Sequence, residues 1–77
     1  MNAERRKSIQ KAIDLMNEAF ELLETARDGE QEAFDNLSEG LQQAERGQNM
    51  EAAASDLETA CSELESARDN AETAVSY

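Results

Sequence analysis

Residues 9–37, IQKAIDLMNEAFELLETARDGEQEAFDNL, decide the fold that we predict for this chain. Alanine returns every seven residues in this stretch, and large apolar side chains flank it on both sides. In heptad notation alanine occupies position d, and large residues occupy positions a and e. The alanine ladder consists of Ala12, Ala19, Ala26 and Ala33, and its large neighbours are Ile9, Ile13, Met16, Phe20, Leu23, Phe34 and Leu37. This periodicity predicts a long amphipathic helix that packs against another helix.

The C-terminal half repeats the pattern 41 residues later, and its ladder consists of Ala53, Ala60, Ala67 and Ala74. We expect one helix over about residues 3–36 and a second over about residues 49–76. The connector, residues 37–48, contains two glycines. Gly47 is typical of a residue that ends a helical turn, and Asn49 of one that caps the next helix. Leu41 is expected to fold back over the end of the core.

The predicted fold class is therefore all-α, with residues 1–77 forming a single antiparallel helical hairpin, an alanine-rich coiled coil. Alanine at position d predicts a close approach of the two helices, with the side chains at a and e closing over the seam. The first helix also has leucine at position g, so its apolar arc is wider than one neighbouring helix covers. We therefore predict a homo-oligomeric helical bundle, a dimer or a higher even-numbered assembly. The predicted oligomer interface consists of Leu15, Phe20, Leu22 and Phe34.

Charge is unevenly distributed along the chain, whose formal net charge is −11. Residues 1–13 carry four basic side chains and one acid, a net charge of +3. Residues 14–77 carry 17 acids and three arginines, a net charge of −14. We expect this acidic segment not to bind nucleic acid or anionic membranes directly. Its charge favours a basic partner, or simple solubility. We expect neither a secretory signal nor a membrane-spanning segment, and hence a cytoplasmic location.

The composition argues against an enzyme, a metal site or a cofactor. The chain has no histidine, no glycine-rich phosphate loop and no pairing of a base with a nucleophile. Residues 28–39 place acids as a calcium loop does, but Ala33 stands where that loop requires glycine. The single cysteine, Cys61, lies at an e position on the apolar face, where we expect a buried structural residue.

Arg27 and Arg68 interrupt the apolar e row at matching positions of the two helices. In one interpretation each arginine lies along the seam and pairs with a nearby acid. The candidate acids are Glu24, Asp28 and Glu65. In the other, a symmetric oligomer gathers the two arginines into a pocket for an anion or a nucleotide. The candidate ligand-binding residues are then Arg5, Arg6, Lys7, Arg27 and Arg68. The N-terminal basic run opposes the helix macrodipole, so it is also expected to neutralise a neighbouring acidic helix end.

Residues 31–42, QEAFDNLSEGLQ, resemble a segment of small, mostly uncharacterised acidic proteins of bacteriophages and prophages. The family-like pattern reads E-Q-E-A-F-D-N-L-P-E-(G/S)-L-Q between two acidic helices. The chain departs from it at Ser38, where the pattern has proline, and at Gly29, where it usually has an acid. The resemblance implies a phage origin and no activity that transfers to particular residues.

By analogy with small phage accessory proteins, we expect a non-enzymatic protein that acts by stoichiometric binding in the host bacterial cytosol. It would antagonise an anti-phage defence system, either by sequestering a small anionic nucleotide signal or by occluding a host defence protein. Two other functions stay open. One is an acidic DNA mimic that inhibits a nucleic-acid-binding protein, and the other is a phage assembly or scaffolding helper.

Overall fold

The chain folds into an elongated pair of antiparallel helices joined by a short third helix. The computed structural model describes residues 1–77, with α1 at Ala3–Asp35, α2 at Glu39–Gln43 and α3 at Glu45–Val75. There is no strand, so the all-α prediction is confirmed. The rod measures 58 × 14 × 13 Å, and its radius of gyration is 17.2 Å. A compact chain of this length would have a radius of gyration of about 11 Å.

The first helix begins where its sequence provides a cap. The side chain of Asn2 accepts a hydrogen bond from the backbone N–H of Arg5 at 2.8 Å, which satisfies one of the free donors at the helix start. The helix then passes through Gly29 without interruption and ends at Asp35, one residue before the predicted end.

The second long helix begins at Glu45, four residues before the predicted Asn49. Gly47 lies inside this helix rather than at a helix terminus, and no glycine of the chain has a positive φ. A Cβ at Gly47 would lie 2.4 Å from the carbonyl oxygens of both Leu41 and Gln42. The prediction that Gly47 ends a turn is therefore wrong. Glycine is required here because the backbone of α2 presses against the first turn of α3.

The short helix α2 is held by an interaction that we did not predict. The side-chain amide of Gln42 donates a hydrogen bond to the carbonyl of Phe34 at 3.1 Å, which joins α2 to the last turn of α1. Ser38 occupies the N-cap position of α2, but its side chain makes no capping hydrogen bond. Leu41 is 47% exposed, so the prediction that it covers the end of the core is wrong.

The seam between α1 and α3 runs along positions a and e rather than along the alanine ladder. From Arg6 onwards, every residue at these two positions of the long helices is buried or half-buried. The most buried apolar residues, Ile13, Ala54 and Cys61, all lie at position e. The burial predicted for Cys61 is confirmed.

The predicted alanine seam is wrong, because no alanine of the ladder is fully buried. Three of the eight are exposed, namely Ala12, Ala26 and Ala67, and the other five are half-buried. Positions a and e lie about 40° apart around a helix and hold the large side chains. Turning those positions inward removes more apolar area from water than facing two rows of methyl groups would.

Candidate functional site

Arg27, one of the two predicted ligand-binding arginines of the seam, is neutralised by acids of its own helix. Its guanidinium donates to the Asp28 carboxylate at 3.0 Å and lies 4.0 Å from the Glu24 carboxylate. The hydrogen bond with Asp28 raises the pKa of Arg27 above its ordinary value. The arginine therefore stays charged, and its charge is paired locally.

Arg68, the other seam arginine, links the two long helices. Its Nη1 donates to the side-chain oxygen of Asn17 at 3.1 Å, and its guanidinium carbon lies 5.9 Å from the centre of the Phe20 ring. At this distance a cation–π contact is favourable. On its own helix the guanidinium lies 3.9 Å from Glu65 and 3.5 Å from Asp69. Its Nε is buried and has no hydrogen-bond partner.

The two arginines do not share a pocket within one chain. Arg68 is anchored at Asn17, which lies ten residues from Arg27 along α1, or about 15 Å of helix. Both guanidinium groups pair with acids close in sequence, as the first interpretation of these arginines predicts, and that pairing is confirmed. A pocket formed by several copies of the chain stays a prediction.

One residue of the N-terminal basic run, Arg6, contacts α3. Nη1 of Arg6 donates a hydrogen bond to the carbonyl of Val75, in the last turn of α3. A positive charge at a helix C-terminus is favourable because it opposes the negative end of the macrodipole. Of the three residues of the run, only Arg6 makes the predicted contact with a helix end. Arg5 and Lys7 are exposed.

The four predicted oligomer-interface residues fall into two groups. Leu15 is 55% exposed and Leu22 is 73% exposed, so both are free on the outer surface of α1. Phe20 and Phe34 are half-buried at position e, on the side of α1 that faces α3. Within one chain, therefore, only the two leucines are fully available to another molecule.

The surface of α3 carries a regular acidic feature that our sequence analysis missed. Four exposed glutamates at heptad position b, which we call the glutamate row, recur every seven residues; they are Glu51, Glu58, Glu65 and Glu72. A seven-residue spacing corresponds to about 10 Å, so the row extends over roughly 30 Å of the helix. Of the 18 acids in the chain, only Glu24 and Glu30 are not exposed. The seven-residue repeat of glutamate is visible in the sequence, but it lies outside the apolar positions from which the fold is predicted.

No three His, Cys, Asp or Glu side chains lie close enough together to hold a metal ion. Cys61, which is free, is 3% exposed. None of the helices combines the length and the apolar character that a membrane span requires.

Comparison of the chain with protein-family models, with curated proteins and with solved structures gives no match.

Proposed function

We propose that this chain is a non-enzymatic phage-type accessory protein that binds a basic surface of a bacterial defence protein stoichiometrically and occludes it in the host cytosol. The observation that carries the proposal is the glutamate row on α3. Four carboxylates at about 10 Å intervals match the spacing of one heptad position on a partner helix. Glu51, Glu58 and Glu72 form no ion pair within the chain, whereas Glu65 also lies 3.9 Å from Arg68. The row therefore suits a partner with lysine or arginine at that spacing, with Glu65 shared between Arg68 and the partner.

Electrostatics favours such a partner over a small nucleotide. The net charge of −14 over residues 14–77 attracts basic surfaces and repels a phosphate. The guanidinium groups that a nucleotide would need, those of Arg27 and Arg68, already pair with neighbouring carboxylates. We therefore favour occlusion of a protein over sequestration of a nucleotide signal. The phage assignment rests on the resemblance of residues 31–42 alone.

The binding experiment uses a charge-neutralised α3. Tagged chain is purified from infected bacteria that carry a defence system, and the recovered partner is purified for titration by calorimetry. The variant replaces each residue of the glutamate row with glutamine. If each exposed charge pair contributes about 0.5 kcal/mol, the four replacements weaken binding roughly 30-fold.

A matched control removes the same charge elsewhere. Asp14→Asn, Glu21→Gln, Asp56→Asn and Glu63→Gln also neutralise four exposed acids, but none of them belongs to the glutamate row. Affinity should fall much less for this control. Equal losses for both variants would mean that net charge alone drives binding. Recovery of virion proteins instead of defence proteins would favour a scaffolding role.

The nucleotide version has a separate test. Calorimetry against cyclic and linear nucleotides compares the wild-type chain with Arg27→Ala and Arg68→Ala. We expect no binding to any of the three proteins. Nucleotide binding by the wild-type chain that both variants lose would overturn our preference and support sequestration.

A second candidate function, mimicry of DNA, is favoured by the rod shape together with the exposed acids. The charge density of the rod is lower than that of duplex DNA, however, which weakens this candidate. A net charge of −11 over 58 Å is one negative charge per about 5 Å of rod, against one per about 1.7 Å in duplex DNA. A mimic should lose affinity steeply as salt rises and should be displaced by duplex DNA. Binding that is indifferent to both would exclude this function.

A further inference from the structure

The outer surface of α1 keeps an apolar stripe after the hairpin has closed. The seam uses positions a and e, which leaves position g facing away from α3 and position d at the edge of the seam. We call these residues the outer stripe; they are Ala12, Leu15, Ala19, Leu22, Ala26 and Gly29. All except the half-buried Ala19 are exposed. The stripe extends over about 26 Å of helix.

Position g of α3 is polar, which makes α3 an internal comparison. Alanine continues at position d of α3, but position g holds polar residues, namely Asn49, Asp56, Glu63 and Asn70. Leucine at position g is therefore a property of α1 and not a consequence of the hairpin fold. The two exposed leucines lie one heptad apart between small residues, and a contiguous exposed apolar stripe of this kind marks an association surface.

The whole chain also exposes more surface than its mass requires. Its accessible surface is 5558 Å², whereas a folded monomer of 8.5 kDa exposes about 4,700 Å². Only four of the 77 residues are buried. Association through α1 would give this thin rod a second apolar core.

We propose that a second copy of this chain covers the outer stripe, with the two α1 helices antiparallel and residue i opposite residue 41 − i. In this register Leu15 meets Ala26 of the second copy, and Leu22 meets Ala19. At the ends of the stripe Ala12 meets Gly29. Each leucine faces a small residue, so the two helices interlock at close range without leaving voids.

Charge selects the antiparallel orientation. Residues 1–13 have a net charge of +3, and the register places them beside residues 28–40 of the second copy. That segment has five acids and no basic residue, a net charge of −5. Opposite charges therefore meet at both ends of the interface. A parallel pair would bring like charges together at each end, which costs free energy and suppresses that arrangement.

The interface does not depend on the proposed function, because the outer stripe lies on α1 and the glutamate row lies on α3. Each surface is tested by its own variants, so the failure of one proposal leaves the other standing.

The first experiment measures self-association by sedimentation equilibrium. The wild-type chain should dimerise, and Leu15→Glu/Leu22→Glu should weaken the dimer at least about 100-fold. Ala52→Glu/Thr59→Glu adds the same charge at exposed positions of α3 and should leave dimerisation nearly unchanged. Circular dichroism checks that each variant keeps its helices. A wild-type chain that stays monomeric, or a dimer that tolerates both leucine replacements, would overturn the proposal.

The second experiment tests the register with apolar replacements that leave the hairpin intact. Two chains carry Cys61→Ala together with either Leu15→Cys or Ala26→Cys. Mixed and oxidised, they should form a disulfide between unlike chains. Neither variant should form a disulfide with a second copy of itself. In this register the same residue of the two copies is about 16 Å apart along the helices, and a disulfide needs Cα atoms within about 7 Å. Efficient cross-linking of Leu15→Cys with itself would indicate a parallel pair and refute the register.

Discussion

Gly47 illustrates how the absence of one side chain sets the path of the connector. The carbonyl oxygens of Leu41 and Gln42 occupy the space that a Cβ would need. Both oxygens belong to the backbone, so neither can move aside as a flexible side chain does. Because Gly47 has no Cβ, the backbone of α2 can lie against the first turn of α3, so the turn between them is tight and α3 begins at Glu45.

Gly47→Ala and Gly29→Ala should therefore change stability in opposite directions. Alanine at position 47 forces backbone apart and should cost about 2 kcal/mol, roughly 10 °C in Tm. Alanine at position 29, inside α1, meets no other atom of its own chain and should stabilise the hairpin by about 0.5–1 kcal/mol. Thermal unfolding of the two variants at equal concentration measures both effects. A Gly47→Ala variant as stable as the wild type would contradict the contact.

Arg6 stabilises the free ends of the hairpin. Its hydrogen bond to the Val75 carbonyl joins the first turns of α1 to the last turn of α3. A charged donor at a helix C-terminus contributes up to about 1 kcal/mol. The neighbouring Arg5 is exposed and donates no side-chain hydrogen bond to the protein.

We expect Arg6→Ala to loosen the C-terminal end of α3. Amide hydrogen exchange in the last turn of α3 should accelerate up to about fivefold, the factor that corresponds to 1 kcal/mol. Arg5→Ala removes the same charge without the contact and serves as the control. Equal acceleration in both variants would show that the charge matters and the hydrogen bond does not.

The packing of α1 against α3 depends on how each helix is rotated about its axis. Both helices are apolar over an arc that includes positions d, a and e, so several rotations bury some apolar surface. The observed rotation places Ile13, Ala54 and Cys61 at the centre of the seam. The ladder alanines move to its edge, where some of them are exposed.

The same substitution at two alanines of α3 distinguishes these rotations. Ala54→Leu enlarges a residue that is 4% exposed and should cost about 1–3 kcal/mol by overpacking. Ala67→Leu enlarges an exposed residue of the ladder and should change stability by less than about 0.5 kcal/mol. Urea unfolding provides both values. The reverse order of costs would place the alanine ladder at the seam after all.

The single chain is a thin rod with only four buried residues, so its shape changes most in thickness when a second rod packs beside it. The proposed register maps residue 19, the midpoint of α1, onto residue 22 of the second copy. Two rods in this register are therefore offset by only about 4.5 Å and lie side by side. Dimerisation should thicken the particle without lengthening it.

Small-angle X-ray scattering tests this shape directly. The maximum dimension of the dimer should exceed the 58 Å of the single chain by only the small offset, while the mass doubles. Leu15→Glu/Leu22→Glu, which disrupts the outer stripe, should restore the thinner particle. A maximum dimension near twice that of one chain would indicate end-to-end contact and contradict pairing through α1.

Part of the candidate surface was accessible from the sequence and part was not. The heptad pattern identified Leu15 and Leu22 as surplus apolar residues of the first helix, and both are exposed. It assigned Phe20 and Phe34 to the same surface, whereas both are half-buried on the side that faces α3. The pairing of each seam arginine with local acids followed from spacing. The contact of Arg68 with Asn17, 51 residues away, did not.

The sequence by itself determined that the chain is all-helical with two long helices, because hydrophobic periodicity and the absence of proline act locally along the chain. Tertiary structure decided which face of each helix is buried and where α3 begins. Both depend on contacts between residues far apart in sequence, such as the backbone of α2 against Gly47 and the large a and e side chains of α1 against those of α3. Helical periodicity defines an apolar arc, but only packing against a specific neighbour selects the stripe within that arc that leaves water.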